Sequence, residues 1–270
     1  MTGAPATVAE LVDVAEAAAR AAGSVLERFA AKRRAGGDVG LRDKGSARDL
    51  VTDADLAAQA AVAEVLAARR PDDGLLAEEQ PEQPGRSGLR WLVDPLDGTT
   101  NFVYGRPDWC VSVACEAGDR PGHPLAGALF EPTRGQLWLA GLGLGAWRDG
   151  TRLGPLGPCP LAEALIATGF HYDLELRRRE ASMVAELLPR VRDVRRVGSA
   201  ALDLAGVADG QADAFVEAGV HPWDWAAGGL LVTEAGGRAT MTDLDPMGLL
   251  VAANPALHDE LLELLAGLAT

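Results

Sequence analysis

The chain has 270 residues and is poor in several residue types. Lysine is nearly missing: Lys32 and Lys44 are the only two, while arginine, alanine and glycine are plentiful. That bias fits a high-GC genome and says little about chemistry. Basic residues as a class are outnumbered, and the formal net charge is -14. A surface this acidic repels nucleic acid and anionic membranes, so neither is expected as a partner. It also repels phosphorylated substrates, so an anion site here needs a local cation. No run approaches the roughly 20 apolar residues of a membrane span. The opening "MTGAPATVAELVD" lacks a basic region followed by an apolar run, which argues against a secretory signal. Cysteine is limited to Cys110, Cys115 and Cys159, with no CxxC spacing. These read as reduced thiols of a cytoplasmic protein, not as a disulfide framework or zinc site. The four histidines, His123, His171, His221 and His258, are too scattered for a histidine metal cluster.

Hydrophobic residues make up 48% and charged residues 24%, a globular balance. Apolar spacing from Leu11 to Phe29 predicts a long helix over 7–35, ended by Gly36-Gly37. The stretch "DVGLRDKGSARDLVT" reads as irregular or extended. A second helix is expected over 54–69, opened by a Thr52/Asp55 capping box and stopped at Pro71. "RWLV" reads as a short buried strand. Three further apolar runs and a hairpin at Asp149-Gly150 complete a mainly antiparallel sheet over about 90–153. After "GPLGPCPL" strands alternate with helices, the mark of an α/β half. The expected division is therefore 1–153, an α+β half, and 154–270, a smaller α/β half.

Within "WLVDPLDGTTNF", three apolar residues run straight into Asp94 and Asp97. Two carboxylates about 4 Å apart repel by roughly 4 kcal/mol at an effective dielectric near 20, and a hard cation relieves this best. Oxygen-only ligands favour Mg²⁺, Mn²⁺ or Ca²⁺ over zinc. The Gly98 and Thr99 amides at the turn suit an anion beside the metal. On spacing alone, a strand end followed by an ordinary turn fits equally well. Other acids are also ambiguous when taken singly. Glu78 and Glu79 suit a solvated loop, and Asp53 and Asp55 suit helix capping. Glu217 and Asp224, on an apolar strand and at the start of an apolar helix, gain no stability from a bare carboxylate there.

Taken in order, "DLVTDAD", "EE", "WLVDPLDGTTNFVYG" and "GVHPWDWAAGG" resemble the inositol monophosphatase family. This family belongs to the Mg²⁺-dependent, lithium-sensitive sugar phosphatases. The resemblance runs from Lys44 to the C-terminus and implies a layered αβαβα sandwich. It implies that Glu78, Asp94 and the Leu96 carbonyl hold a first metal. Asp94 would bridge to a second, completed by Asp97 and Asp224. Two or three Mg²⁺ ions are implied, with Mn²⁺ a substitute. Asp55 and Thr99 would orient and help deprotonate the attacking water, and Gly98 and Thr99 would hold phosphate. Glu217 would accept hydrogen bonds from hydroxyls of the leaving polyol, with Gly198, Ser199 and Ala200 also at the substrate. Lys44 matches a lysine implied to close the site or settle a third metal. Two departures stand out: Ala77 replaces the usual glycine before the glutamate pair, and Asp53 is an extra acid. His171 falls near the substrate rim and leaves substrate choice open.

The expectation is a Mg²⁺-dependent phosphomonoesterase for a small polyol phosphate, myo-inositol 1-phosphate first, acting through metal-activated water. A homodimer is implied by the family. Rivals are a histidinol-phosphate, fructose 1,6-bisphosphate, 3'-phosphoadenosine 5'-phosphate or NADP phosphatase of the same fold. A non-catalytic regulatory protein that keeps the fold is a further rival. "GLGLGA" hints at dinucleotide binding, but a hairpin and not a helix follows it. The basic clusters at Lys32 and Arg177 read as solvated helix faces, Trp223 and Trp225 as core, and His221 as a residue that orients a neighbour by hydrogen bonding.

Overall fold

The computed structural model describes residues 6–44 and 49–268. Helix α1 spans Val8–Arg34. Its Thr7 cap and Glu10 bond reciprocally, and three basic residues in its last turn complement the helix dipole. Strands β1 (Arg42–Asp43) and β2 (Leu50–Val51) pair antiparallel within the segment read as irregular. Residues 45–48 of that segment lie outside the described residues. Helix α2 spans Asp53–Arg69, with the Thr52/Asp55 capping box formed in both directions.

Next come β3 (Gly74–Ala77), β4 (Gln80–Gln83), β5 (Leu89–Asp97) and the short helix α3 (Thr99–Tyr104). They are followed by β6 (Cys110–Ala117), β7 (Pro124–Glu131), β8 (Gln136–Gly141), β9 (Gly145–Arg148) and β10 (Thr151–Arg152). Strands β3 to β10 form one sheet in the order β10-β9-β8-β7-β6-β5-β3-β4. Its pairings are antiparallel except β3 on β5. The β9–β10 turn has positive φ at Asp149 and Gly150, as the hairpin signal requires. β3 and β4 escaped the sequence reading for a physical reason. β4, "QPEQ", is an exposed edge strand and carries no apolar alternation.

The remaining elements are β11 (Leu165–Thr168), α4 (Leu174–Leu187), β12 (Asp193–Arg195), α5 (Ala200–Ala208) and β13 (Ala214–Ala218). Then follow α6 (Pro222–Glu234), β14 (Arg238–Thr242), β15 (Leu249–Ala253) and α7 (Pro255–Leu268). The five strands are ordered β12-β11-β13-β15-β14. The first three are parallel, while β15 and β14 run antiparallel. The strands β11, β12 and β13 are linked by the helical crossovers α4 and α5, which allow parallel pairing, whereas β14 and β15 are joined by a short loop.

The layers follow from side-chain alternation. Along β5, Trp91 and Val93 pack with α1 and α2, while Leu92 faces α5 and α6 on the opposite side. Along β13, Phe215 joins the α5–α6 layer, while Ala214 and Val216 face α7. The result is an αβαβα sandwich, as the resemblance implied. Ala15, Ala18, Ala19 and Ala22 of α1 are fully buried, so small side chains bring that long helix close to the sheet. Completely buried Trp91 and Phe215 each contribute about 1.5–3 kcal/mol through lost apolar surface. With α5 and α6 between the sheets, the ends of β5, β11 and β13 meet the starts of α3, α5 and α6 around one cavity.

Candidate functional site

The site is built outward from β5. The strand does not stop at Val93 as expected but runs on through Asp97. A register shift between Asp94 and Asp97 takes the place of the anticipated turn. Pro95 cannot donate to a sheet ladder, so an irregularity there is its natural setting. Asp94 is buried, and its Oδ1 accepts the Leu96 N–H at 2.9 Å. The chain then turns at Gly98, with φ 97°, where a Cβ would stand 2.9 Å from the Asp108 carbonyl. Thr99 opens α3, and its Oγ1 lies 3.0 Å from Asp55 Oδ1 and 3.1 Å from the Leu96 carbonyl. The other Asp55 oxygen accepts both the N–H and the hydroxyl of Thr52. Asp55 is therefore a helix cap and a partner of Thr99 together.

Asp97 sits at the start of α5. Its Oδ2 accepts from Ser199 Oγ and from the Ala201 N–H, each at 2.7 Å. The Ala200 N–H also stabilises its charge. The Gly198–Ala200 stretch thus holds Asp97 as well as lining the cavity. Asn101 Nδ2 donates to the Asp108 carbonyl at 2.7 Å and the Val197 carbonyl at 3.0 Å, fastening α3 to the loop before α5. Asp224 stands in the first turn of α6, where Pro222 suits the helix start. Its Oδ2 accepts the His221 N–H at 2.7 Å. His221 therefore orients Asp224 through its backbone, while its ring stacks on Trp223 at 4.8 Å. Glu78 leaves the end of β3 and pairs with Lys44 at 2.7 Å; Lys44 also bonds Glu79. Gln59 Oε1 accepts the Glu79 N–H at 3.0 Å and steadies that elbow from α2.

Glu78, Asp94, Leu96, Asp97, Gly98, Thr99, Glu217 and Asp224 all line the same cavity of about 280 Å³. Burial pushes Asp94 and Asp224 well above the usual carboxylate range, and repulsion among Glu78, Asp94, Asp97 and Asp224 pushes the same way. Burial also raises Asp97, to about 6; the donors from α5 pull it back. Glu217 is raised by burial and by the acids around it. Asp203, on the buried side of α5, is raised to about 8 by burial and by Asp97. A cavity that gathers so much negative potential calls for positive charge.

Other sequence candidates fall elsewhere. Asp53 pairs with Arg42 at 2.8 Å and does not line the cavity. The backbone N–H groups of Gly143 and Gly145, in the glycine-rich "GLGLGA", donate to Glu234, each at 2.8 Å. Trp223 and Trp225 both pack against the middle core layer, as expected, and Trp223 lines the cavity as well. The sequence reading missed Asp49, Gly169, Tyr172, Arg196 and Asp203. For Asp203 a signal existed: it interrupts the apolar helix "AALDLAGVA". Arg196 brings a guanidinium, a local cation, to the rim of this acidic cavity.

The donor set is entirely oxygen, which suits a hard divalent cation. Among the described residues, Asp94, Asp224 and Glu78 each keep one carboxylate oxygen without a protein donor. Among the described residues, no three acidic, histidine or cysteine side chains already form a metal-ready cluster. A rotation that moves Lys44 aside would release Glu78.

The family model for the inositol monophosphatase family matches residues 7–269. The chain is 40% identical over 260 residues to the inositol-1-monophosphatase SuhB of Mycobacterium tuberculosis (strain ATCC 25618 / H37Rv), covering 92% of this chain and 89% of that protein. It is 37% identical over 260 residues to the Nus factor SuhB of Pasteurella multocida, covering 93% and 94%. Among solved structures, the extragenic suppressor protein suhB from Bartonella henselae superposes with a TM-score of 0.86 at 35% identity, covering 95% and 98%.

Proposed function

The chain belongs to the inositol monophosphatase family, and on that premise we propose that it hydrolyses a small polyol phosphate, with myo-inositol 1-phosphate the leading substrate. As a member it is a phosphoric monoester hydrolase, and the family is generally Mg²⁺-dependent. The observation that carries the proposal is one cavity in which Glu78, Asp94, Asp97 and Asp224 repel one another beside Thr99 and Glu217.

In this reading Glu78, Asp94, the Leu96 carbonyl, Asp97 and Asp224 would hold two Mg²⁺ ions, with Mn²⁺ able to replace them. When bound, such ions supply Lewis-acid charge that neutralises phosphate and makes a water far more acidic. The chain's own groups do the rest. The Thr99 hydroxyl, bonded to Asp55, gives the attacking water a fixed acceptor and a route for its proton. The Gly98–Thr99 turn presents backbone N–H groups to the phosphate. The carboxyl of Glu217 receives hydroxyls of the leaving polyol, while Ser199 and Ala200 keep Asp97 in place. No side chain becomes covalently attached to the phosphoryl group, and the buried Cys110 thiol, pushed up by burial, is suited to no such role.

The Pasteurella relative's name raises a second reading, a regulatory binding protein that keeps the fold without catalysis. The full acidic set in this chain supports catalysis instead. Phosphate release from a panel decides: myo-inositol 1-phosphate, histidinol phosphate, fructose 1,6-bisphosphate, 3'-phosphoadenosine 5'-phosphate and NADP, with and without Mg²⁺. Turnover of the inositol ester that vanishes with chelator is expected. If every compound stays intact in both Mg²⁺ and Mn²⁺, the binding reading prevails.

A further inference from the structure

β11 and β13 run side by side and parallel, with Thr168 opposite Val216. The residues after them leave the sheet together at its carboxyl edge, where open α/β sheets present ligand crevices. The two exits interlock. A Cβ on Gly169 would stand 2.1 Å from Glu217 Oε2, so that carboxyl rests on bare backbone. In return, a Cβ on Gly219 would stand 2.9 Å from His171 Cδ2. Through one glycine, each strand end makes room for the polar side chain of the other.

His171 is fixed on two further sides. Its backbone N–H donates to Glu180 Oε2 at 2.7 Å. Its Nδ1 accepts the Asp173 N–H at 2.9 Å. An accepting Nδ1 leaves the proton of the neutral ring on Nε2. That Nε2 has no hydrogen-bond partner among the described residues, and the ring lines the cavity together with Glu217. Glu180, behind it, is 2% exposed.

We propose that His171 is a specificity-determining residue that reads the leaving group jointly with Glu217. The pair selects a vicinal diol, and Glu180 is the positioning residue that sets His171. The inference rests on the polyol-phosphatase reading and narrows it. A diol brings one hydroxyl that donates to Glu217 and a neighbour that accepts from His171 Nε2–H. A leaving group without adjacent hydroxyls leaves both protein groups unpaired, and such unmet polar groups are the strongest source of discrimination in a closed site.

The test compares myo-inositol 1-phosphate with cyclohexyl phosphate, the same ring without hydroxyls, in saturating Mg²⁺. For His171→Ala, KM for the inositol ester should rise roughly tenfold, about one hydrogen bond, while kcat stays within about twofold. The loss of kcat/KM should be at least about fivefold larger for the inositol ester than for the cyclohexyl ester. His171→Gln, which restores an N–H donor, should recover part of it. Glu180→Ala should reproduce the KM effect, whereas Glu180→Gln keeps an oxygen for the His171 N–H and should keep KM near that of the parent. Thermal melts of all four variants separate these shifts from unfolding. Equal losses on both esters, or an unchanged KM in His171→Ala, overturn the assignment. A parent enzyme that cleaves both esters equally well overturns the diol reading and leaves the phosphatase reading intact. A parent that cleaves neither these nor the wider panel removes both.

Discussion

The Lys44 ammonium stands 2.7 Å from Glu78 Oε1 and also bonds Glu79. One of only two lysines in the chain thus neutralises an acid that the family resemblance assigns to metal. Burial opposes the charge on Lys44, but Glu78 and Glu79 more than offset it and hold the ammonium well above its usual range. Glu79 is itself raised, to about 7, chiefly by burial. The contact is mostly shielded from water, so it is stronger than an exposed ion pair.

Lys44→Gln removes a cation that competes for Glu78. The expected outcome is Mn²⁺ binding tightened by roughly three- to tenfold, read by calorimetry on chelator-stripped protein. Its metal-free melting temperature should fall, because Glu78 and Glu79 lose their counter-ion. Weaker Mn²⁺ binding would instead mean that Lys44 supports a metal, the other role implied by the resemblance.

Asp94→Asn separates stability from function at one position. The carboxylate is buried among Glu78, Asp97 and Asp224, each of which raises its proton affinity. Replacing it with a neutral amide relieves that repulsion, so the metal-free protein should melt higher. Turnover should fall by more than about a hundredfold, since even partners one step behind a ligand are worth about 10–100-fold. Normal activity in this variant would contradict the assignment of Asp94 to the metals.

The contrast between Asp94 and Asp203 shows what a sequence can carry. Asp94 drew notice because an apolar strand, a proline, a second acid and a Gly-Thr-Thr turn are contiguous, while its assignment to metal came with the family resemblance. The sandwich came with the family resemblance, whereas α1, α2 and the β9–β10 hairpin have local signals of their own in caps, periods and turn residues. β3 and β4 were missed because β4 is an exposed edge strand without apolar alternation, and because nothing within "GLLAEEQPEQ" records the parallel pairing of β3 with β5. Asp203, Arg196 and Gly169 were missed because their meaning depends on neighbours distant in sequence. Gly169 is an ordinary strand-end glycine until Glu217 is seen against it. The strand through Asp94 and Asp97 was cut short because a proline normally ends a ladder, and here a register shift absorbs it.

Asn101→Ala tests the clasp that joins the α3 turn to the loop before α5. The Asn101 amide serves the Asp108 and Val197 carbonyls from a buried position. Their loss leaves two acceptors with weakened satisfaction, at a cost of about 1–3 kcal/mol. For a chain of this size the melting temperature should fall by roughly 2–4 °C for each kcal/mol. Because Ser199 in that loop bonds Asp97, kcat should also decline when measured well below the melting range. A melting temperature within one degree of the parent would show that the clasp is dispensable.

Glu180 gives a pH prediction away from the acidic centre. It is 2% exposed, and burial raises its proton affinity to about 7, against the His171 N–H that favours the charged form. Asp245 pushes in the same direction as burial, while Arg177 and Arg196 oppose it. The unfolded chain releases this proton near 4.5, so between about 4.5 and 7 the folded state binds more protons than the unfolded one. Stability contributed by protonated Glu180 is therefore full below that window, declines as pH rises through it, and is gone above. The whole effect is on the order of 1–3 kcal/mol. Glu180→Gln cannot titrate and keeps an acceptor for His171, so it should lack this component of the pH dependence. Calorimetry on metal-free protein should show the variant gaining on the parent by several degrees between pH 5 and pH 8. The acids of the cavity are common to both chains, so most of their own titration cancels in the difference, apart from the share of Glu217 that Glu180 itself raises. Melting curves that stay parallel across the range would mean that Glu180 is already charged in the folded protein at pH 5, with a counter-ion other than Arg177 and Arg196 doing the holding.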